Sequence, residues 1–148
     1  MAEELNGLDQ ALNQFIKKVK SASDLSEADK LDINMSGAQV FEEALRRETR
    51  AKHYSNKKDS TYGHAADGIG MYSPRGLSKD SGVPIGSFIV GWKYHFHAMN
   101  MMRVNDGTKK LVGDNFITNL RHDSNVRSEM LKAEKSKYDE LLKKKGDD

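Results

Sequence analysis

Residues 103–116, RVNDGTKKLVGDNF, place two backbone-breaking steps close together and so dictate the course of the chain on either side. Asn105, Asp106 and Gly107 are residues of backbone shape. Glycine takes positive φ without a steric cost, and Asn or Asp side chains bond their own backbone. The segment reads as the end of a strand, a forced turn, a second tight connection through Thr108, Lys109 and Lys110 to Gly113, and then a helix start. Asp114 is placed to cap that helix, and its first apolar residue, Phe116, points inward. No residue type in the segment points to an active site.

A chain of 148 residues suffices for one compact domain, residues 1–148, with a modest core. Apolar content of 36% against 31% charged residues makes that core thin, just on the folded side of the border with disorder. Acids and bases are mixed along the chain and the net charge is +2, without the basic stripe of a non-specific DNA binder. Lys143, Lys144 and Lys145 fall at the end of a predicted helix, where cations complement the macrodipole. The absence of cysteine excludes disulfides, thiol catalysis and zinc-thiolate sites. The first residues, MAEELNGLDQ, hold no apolar signal core, and no run approaches the ~18 apolar residues of a membrane span. The expectation is a protein kept in a cytoplasm, or built into a particle there.

Helical periodicity dominates residues 7–53. Leu8, Leu12, Phe15, Ile16 and Val19 form one stripe over residues 7–22, with Asn6 as its cap. Ser26 and Asp29 make a capping-box pattern for a second helix that runs to about Lys52 and is weakened at Gly37. Leu31, Met35, Ala38, Phe41 or Val40, and Leu45 form its buried side. Residues 55–86 differ in kind: six of the twelve glycines and both prolines lie between Gly63 and Gly86. Such a stretch reads as a flexible Gly-rich loop that orders on binding. A short turn or strand near Gly63 and His64 would let Ile69 and Met71 dip into the core. Phe88, Val90, Trp92, Tyr94 and Phe96 then alternate with Ile89, Gly91, Lys93, His95 and His97, the period of a β-strand. A hairpin turn or bulge near residues 93–96 and a return strand over 98–104 would make residues 87–108 a pair of antiparallel strands. Residues 114–145 read as C-terminal helices with a joint at Asp123, Ser124 and Asn125. The expected fold class is α+β: two N-terminal helices, a small antiparallel sheet with a long loop, and a C-terminal helix or helix pair.

The order Gly63-His64, Val90-Gly91-Trp92, Asn105-Asp106-Gly107-Thr108-Lys109-Lys110 and Gly113-Asp114-Asn115-Phe116 resembles the minor tail component family of long-tailed bacteriophages. These are the tail-completion, or head-to-tail joining, proteins. The likeness extends over roughly residues 5–145 and is sharpest over 86–117. Asn105 stands where many members carry glutamate, and residues 113–116 stand where many carry a proline-bearing segment, departures that suit phages of Gram-positive hosts. The resemblance implies a non-enzymatic virion protein of the neck, or head-proximal tail, with no cofactor. It would contact the tail terminator or tube protein on one side and head-side connector proteins on the other, self-associating into a ring, with a hexamer favoured. It further implies no membrane and no specific nucleic acid. Gly63, His64, Trp92, Tyr94, Asn105, Asp106, Gly107, Thr108, Asp114 and Phe116 become the structural turn and assembly candidates.

Sharper chemistry finds little support among the remaining residues. His95 and His97 would share one face of a strand, as metal ligands sometimes do, but no second ligand pair accompanies them. No metal is expected. His64 beside Asp67 could be drawn as a base and its orienting carboxylate, yet no nucleophile sits at a telling position. The glycines of residues 63–70 match neither phosphate-binding fingerprint. Trp92, Tyr94 and Phe96 could stack on bases, with only Lys93 and Arg103 to supply charge nearby, so a core face is the simpler reading. Met99, Met101 and Met102 are adaptable apolar filling. A small nucleic-acid-binding regulator is the alternative from another class, and a metal-dependent hydrolase using His95 and His97 is a third.

Overall fold

A computed structural model describes residues 2–55, 61–72 and 88–146. The fold is α+β, with helices at both ends of the chain around a small antiparallel sheet. The first helix, α1, spans Ala2–Ser23 and so begins before Asn6, the residue expected to cap it. The second, α2, spans Glu27–His53. Ser26 starts it as the sequence implies: Asp29 N donates to Ser26 Oγ at 3.1 Å, and Ser26 N donates back to Asp29 Oδ2 at 2.8 Å. The expected weakness at Gly37 does not break the helix, which runs through it from Glu27 to His53. Gly37 is buried, and the Glu134 side chain occupies the space a Cβ would need, so the missing side chain serves close helix packing.

The sheet departs from expectation. Strand β1, Ile69–Tyr72, pairs antiparallel with β2, Ile89–Trp92, with Ile69 opposite Trp92 and Tyr72 opposite Ile89. A single 3₁₀ turn, Ala65–Gly68, leads into β1. The antiparallel strands expected over residues 87–108 are therefore corrected: only 89–92 is strand, and the predicted return strand belongs to helix α3, His95–Asp106. Beyond Trp92 the Lys93 N–H donates to Gly68 O at 2.7 Å, and the ladder stops there. Residues 95–106 hold one β-branched residue, Val104, and one aromatic strand former, Phe96, among His, Ala, Met, Asn, Arg and Asp, and their backbone takes helix over ladder. His97, Met101 and Asn105 are buried at i, i+4 and i+8, the inward stripe of that helix. Phe96, expected on the core face, is exposed.

The C-terminal pair is α4, Phe116–His122, and α5, Ser124–Gly146. The predicted joint is present: Asp123 Oδ1 accepts the N–H groups of Asn125 (2.8 Å) and Val126 (3.0 Å). α2 and α5 make the main helix pairing. The core gathers Ala44 and Leu45 of α2, Ile69, Met101, Phe116, Ile117, Leu120 and Val126. Phe116 is wholly enclosed, and Phe41, Val90, Trp92 and Met130 pack around this cluster. Of the predicted loop, the 3₁₀ turn and β1 are built, whereas residues 56–60 and 73–87 lie outside the described residues. The α1 stripe is not core. Leu12, Phe15, Ile16 and Val19 are all exposed, and the Leu8 side chain lies outside the described ones. Among the described residues no helix is long and apolar enough to cross a membrane.

Candidate functional site

Six of the singled-out residues meet where α3 hands over to α4. The C-cap of α3 is Gly107, at φ 86° and ψ 175°, with its N–H donating to Arg103 O at 2.8 Å. That φ/ψ pair is almost reserved for glycine. A Cβ on Gly107 would lie 2.7 Å from Gly113 N and 2.8 Å from Leu111 O, so the loop can fold back only over a bare α-carbon. Thr108 closes that loop. Its N–H donates to Leu111 O at 2.7 Å, and its Oγ1 accepts the N–H groups of Lys110 and Leu111. Asp114 N and Asn115 N then donate to Val104 O and Asn105 O, clamping the loop on the end of α3.

The Asn105 side chain organises the start of α4. It is buried, and its Oδ1 accepts the N–H groups of Ile117 (2.8 Å) and Thr118 (3.1 Å), the second and third residues of α4. Its Nδ2 donates to Asp106 Oδ1 at 2.7 Å and Thr118 Oγ1 at 3.0 Å. The expected turn at residues 105–107 is thus a helix end whose asparagine caps the next helix. The expected cap, Asp114, is corrected accordingly. α4 begins after Asn115, which sits in the left-handed region at φ 55°, and Asp114 Oδ1 accepts only the N–H of Phe116, at 3.1 Å. Asp114 Oδ2 faces His53 Nε2 at 2.8 Å, and the His53 ring packs on Phe116 with centroids 4.5 Å apart. The end of α2 is therefore tied to the same joint.

The remaining candidates gather at the other end of α3, whose 12 residues span about 18 Å. Gly63 has φ 66°, and His64 stacks on Tyr54 at 4.2 Å. Asp67 turns away from His64 to Arg50, with Arg50 Nη2 donating to its Oδ1 at 2.6 Å, so the candidate base and carboxylate do not form a pair. That hydrogen bond raises the Arg50 pKa further above its usual value. Arg46 Nη2 donates to Ile69 O at 2.9 Å, fixing β1 on α2. Tyr94 packs edge-on to Tyr62 (5.0 Å) and His97 (5.7 Å). Trp92 Nε1 and His97 Nδ1 are buried without a hydrogen-bond partner among the described residues.

The two ends of α3 do not converge on one cavity. His95 and His97 stand on a helix, with His95 exposed and His97 buried against Gly68, so the shared strand face expected of them is absent. Among the described residues no three His, Cys, Asp or Glu side chains are placed to hold a metal ion. Sequence reasoning missed Arg46, His53 and Thr118. Each acts on a partner far along the chain, and nothing local marks it. Family models, curated proteins and solved structures offer no match to this chain.

Proposed function

We propose that the chain is a structural subunit of the neck of a long-tailed phage, a tail-completion protein that joins the tail to the head-side connector. One observation carries the reading. Asn105, Gly107, Thr108 and Asp114, which with Phe116 carry the resemblance to that family, each bond a backbone group, and Phe116 is enclosed beneath them, so the five build one hydrogen-bonded joint. A part wedged between larger assemblies needs such a joint, and the reading assigns it no bond to make or break. Tail terminator or tube protein would meet one face and connector proteins the other. The subunits would form a ring, six by analogy with the family.

The test is a phage in which this reading frame is interrupted. Electron microscopy of the lysate is expected to show filled heads and complete tails that remain separate, and expression of the chain in trans restores joined particles. Normal numbers of joined virions without the protein would end the proposal, as would turnover of a substrate by the purified chain.

A further inference from the structure

α1 carries an apolar stripe that the described residues of its own subunit leave open. Leu12, Phe15, Ile16 and Val19 are 53%, 63%, 42% and 50% exposed, and every described side chain of residues 9–20 is exposed. The four stand at i, i+3, i+4 and i+7, the spacing with which a helix anchors in an apolar groove.

The same chain offers such a groove. A cavity of about 540 Å³ opens between α2, β2, α4 and α5. Ala38, Phe41, Val90 and Met130 make its floor. Arg121 and Arg127 stand together at one end, since Arg127 Nε donates to Arg121 O at 2.8 Å. Glu134 stands two turns further along α5, about 10 Å from Arg127 by helix rise. Among the described residues no carboxylate pairs with either arginine and no cation pairs with Glu134. Burial raises the Glu134 pKa, so an approaching cation would be welcome there.

Charge selects the occupant and its direction. Asp9 and Lys18 flank the α1 stripe about 13 Å apart, with the signs opposite to those of the groove ends. We propose that α1 of one copy docks in the α2–α5 groove of the next, with Asp9 at Arg121 and Arg127 and Lys18 at Glu134. Leu12, Phe15, Ile16 and Val19 are its anchors, and α1 runs in the same direction as the α5 it meets. Stripe and groove are different surfaces, so the contact is head-to-tail and repeats from copy to copy. It names the contact between subunits of the ring proposed above and rests on that reading for closure, while the contact itself stands on the geometry alone.

The cysteine-free sequence makes the experiment simple. Full-length Ile16→Cys and Met130→Cys proteins are mixed and mildly oxidised, and native mass is measured over a concentration series. The mixture is expected to give a covalent dimer that neither variant gives alone. Wild type should associate increasingly with concentration, and Phe15→Asp should remain monomeric with unchanged helix content. Arg127→Glu should weaken association about tenfold, and combining it with Asp9→Arg should restore it. Disulfide formation by Ile16→Cys alone as readily as by the mixture would mean α1 pairs with α1, which overturns the proposal. So would a wild-type protein monomeric up to roughly 1 mM. The two readings fail separately: virions that join without the chain defeat the neck function and leave the disulfide standing. A missing disulfide in a chain that virions require defeats the contact alone.

Discussion

Asn105 Oδ1, in the last turn of α3, accepts the Ile117 N–H at 2.8 Å and so caps α4 from a neighbouring helix. The residue in the N-cap position of α4, Asn115, makes no side-chain cap bond. The arrangement couples two helices through one amide, because a helix start left uncapped in a buried place strands backbone donors without water.

Removing that amide should loosen the joint. Asn105→Ala leaves the buried Ile117 N–H without its acceptor, and a loss of about 1–3 kcal/mol is expected. Asn105→Asp keeps the acceptor, loses both donated bonds and sets a second carboxylate beside Asp106, so it should fall between alanine and wild type. Urea unfolding followed by circular dichroism measures both. Wild-type midpoints for both variants would refute the capping role.

Gly63 and Gly107, the two glycines of positive φ among the described residues, should respond unequally. Gly107→Ala meets both an unfavourable φ and backbone atoms 2.7–2.8 Å from the new Cβ, whereas Gly63→Ala meets only the φ, with nothing within 4 Å. About 1–2 kcal/mol is expected for Gly63→Ala and more for Gly107→Ala. Gly113→Ala should behave like Gly107→Ala, because its Cβ would lie 2.6 Å from Asn105 O. Comparable unfolding midpoints for the Gly63 and Gly107 variants would contradict this geometry.

Acid should release the end of α5 from the start of α2. A hydrogen bond from Lys145, followed by those from the Ser26 backbone and side chain, holds the Asp29 pKa down at about 2. A carboxyl whose folded pKa lies below its unfolded value stabilises the fold above that unfolded value, near 3.8, and the contribution is lost as pH falls towards 2. The Asp29 carboxyl carbon, titrated by NMR, should show a midpoint near 2, and Lys145→Gln should move it upward. An ordinary midpoint in wild type would refute the tie.

Phe116 is the keystone of the thin core. Among the described residues it is the largest side chain fully enclosed, with the His53 ring against it. Phe116→Ala is expected to cost about 3–5 kcal/mol, much of the stability of a domain this size. Thermal unfolding is the check, and a fall in midpoint of only a degree or two would place the core elsewhere.

Local chemistry decided a good deal of this molecule without help from the fold. Ser26 and Asp29 start α2 because their side chains satisfy amides three residues away. Asp123 marks the α4–α5 joint for the same reason, and Gly107 signals positive φ by its composition. Such bonds lie within a few residues, so the sequence contains both partners side by side. Tertiary structure decided the rest. The alternation running through Trp92, Tyr94 and Phe96 ends as strand at Trp92 because β1 supplies the ladder, and residues 95–106 wind into α3 to bury His97, Met101 and Asn105. The α1 stripe was legible as an apolar face, yet a period says only that a face seeks cover. Which surface covers it depends on groups brought together from distant parts of the chain, and that arrangement exists only once the chain has folded.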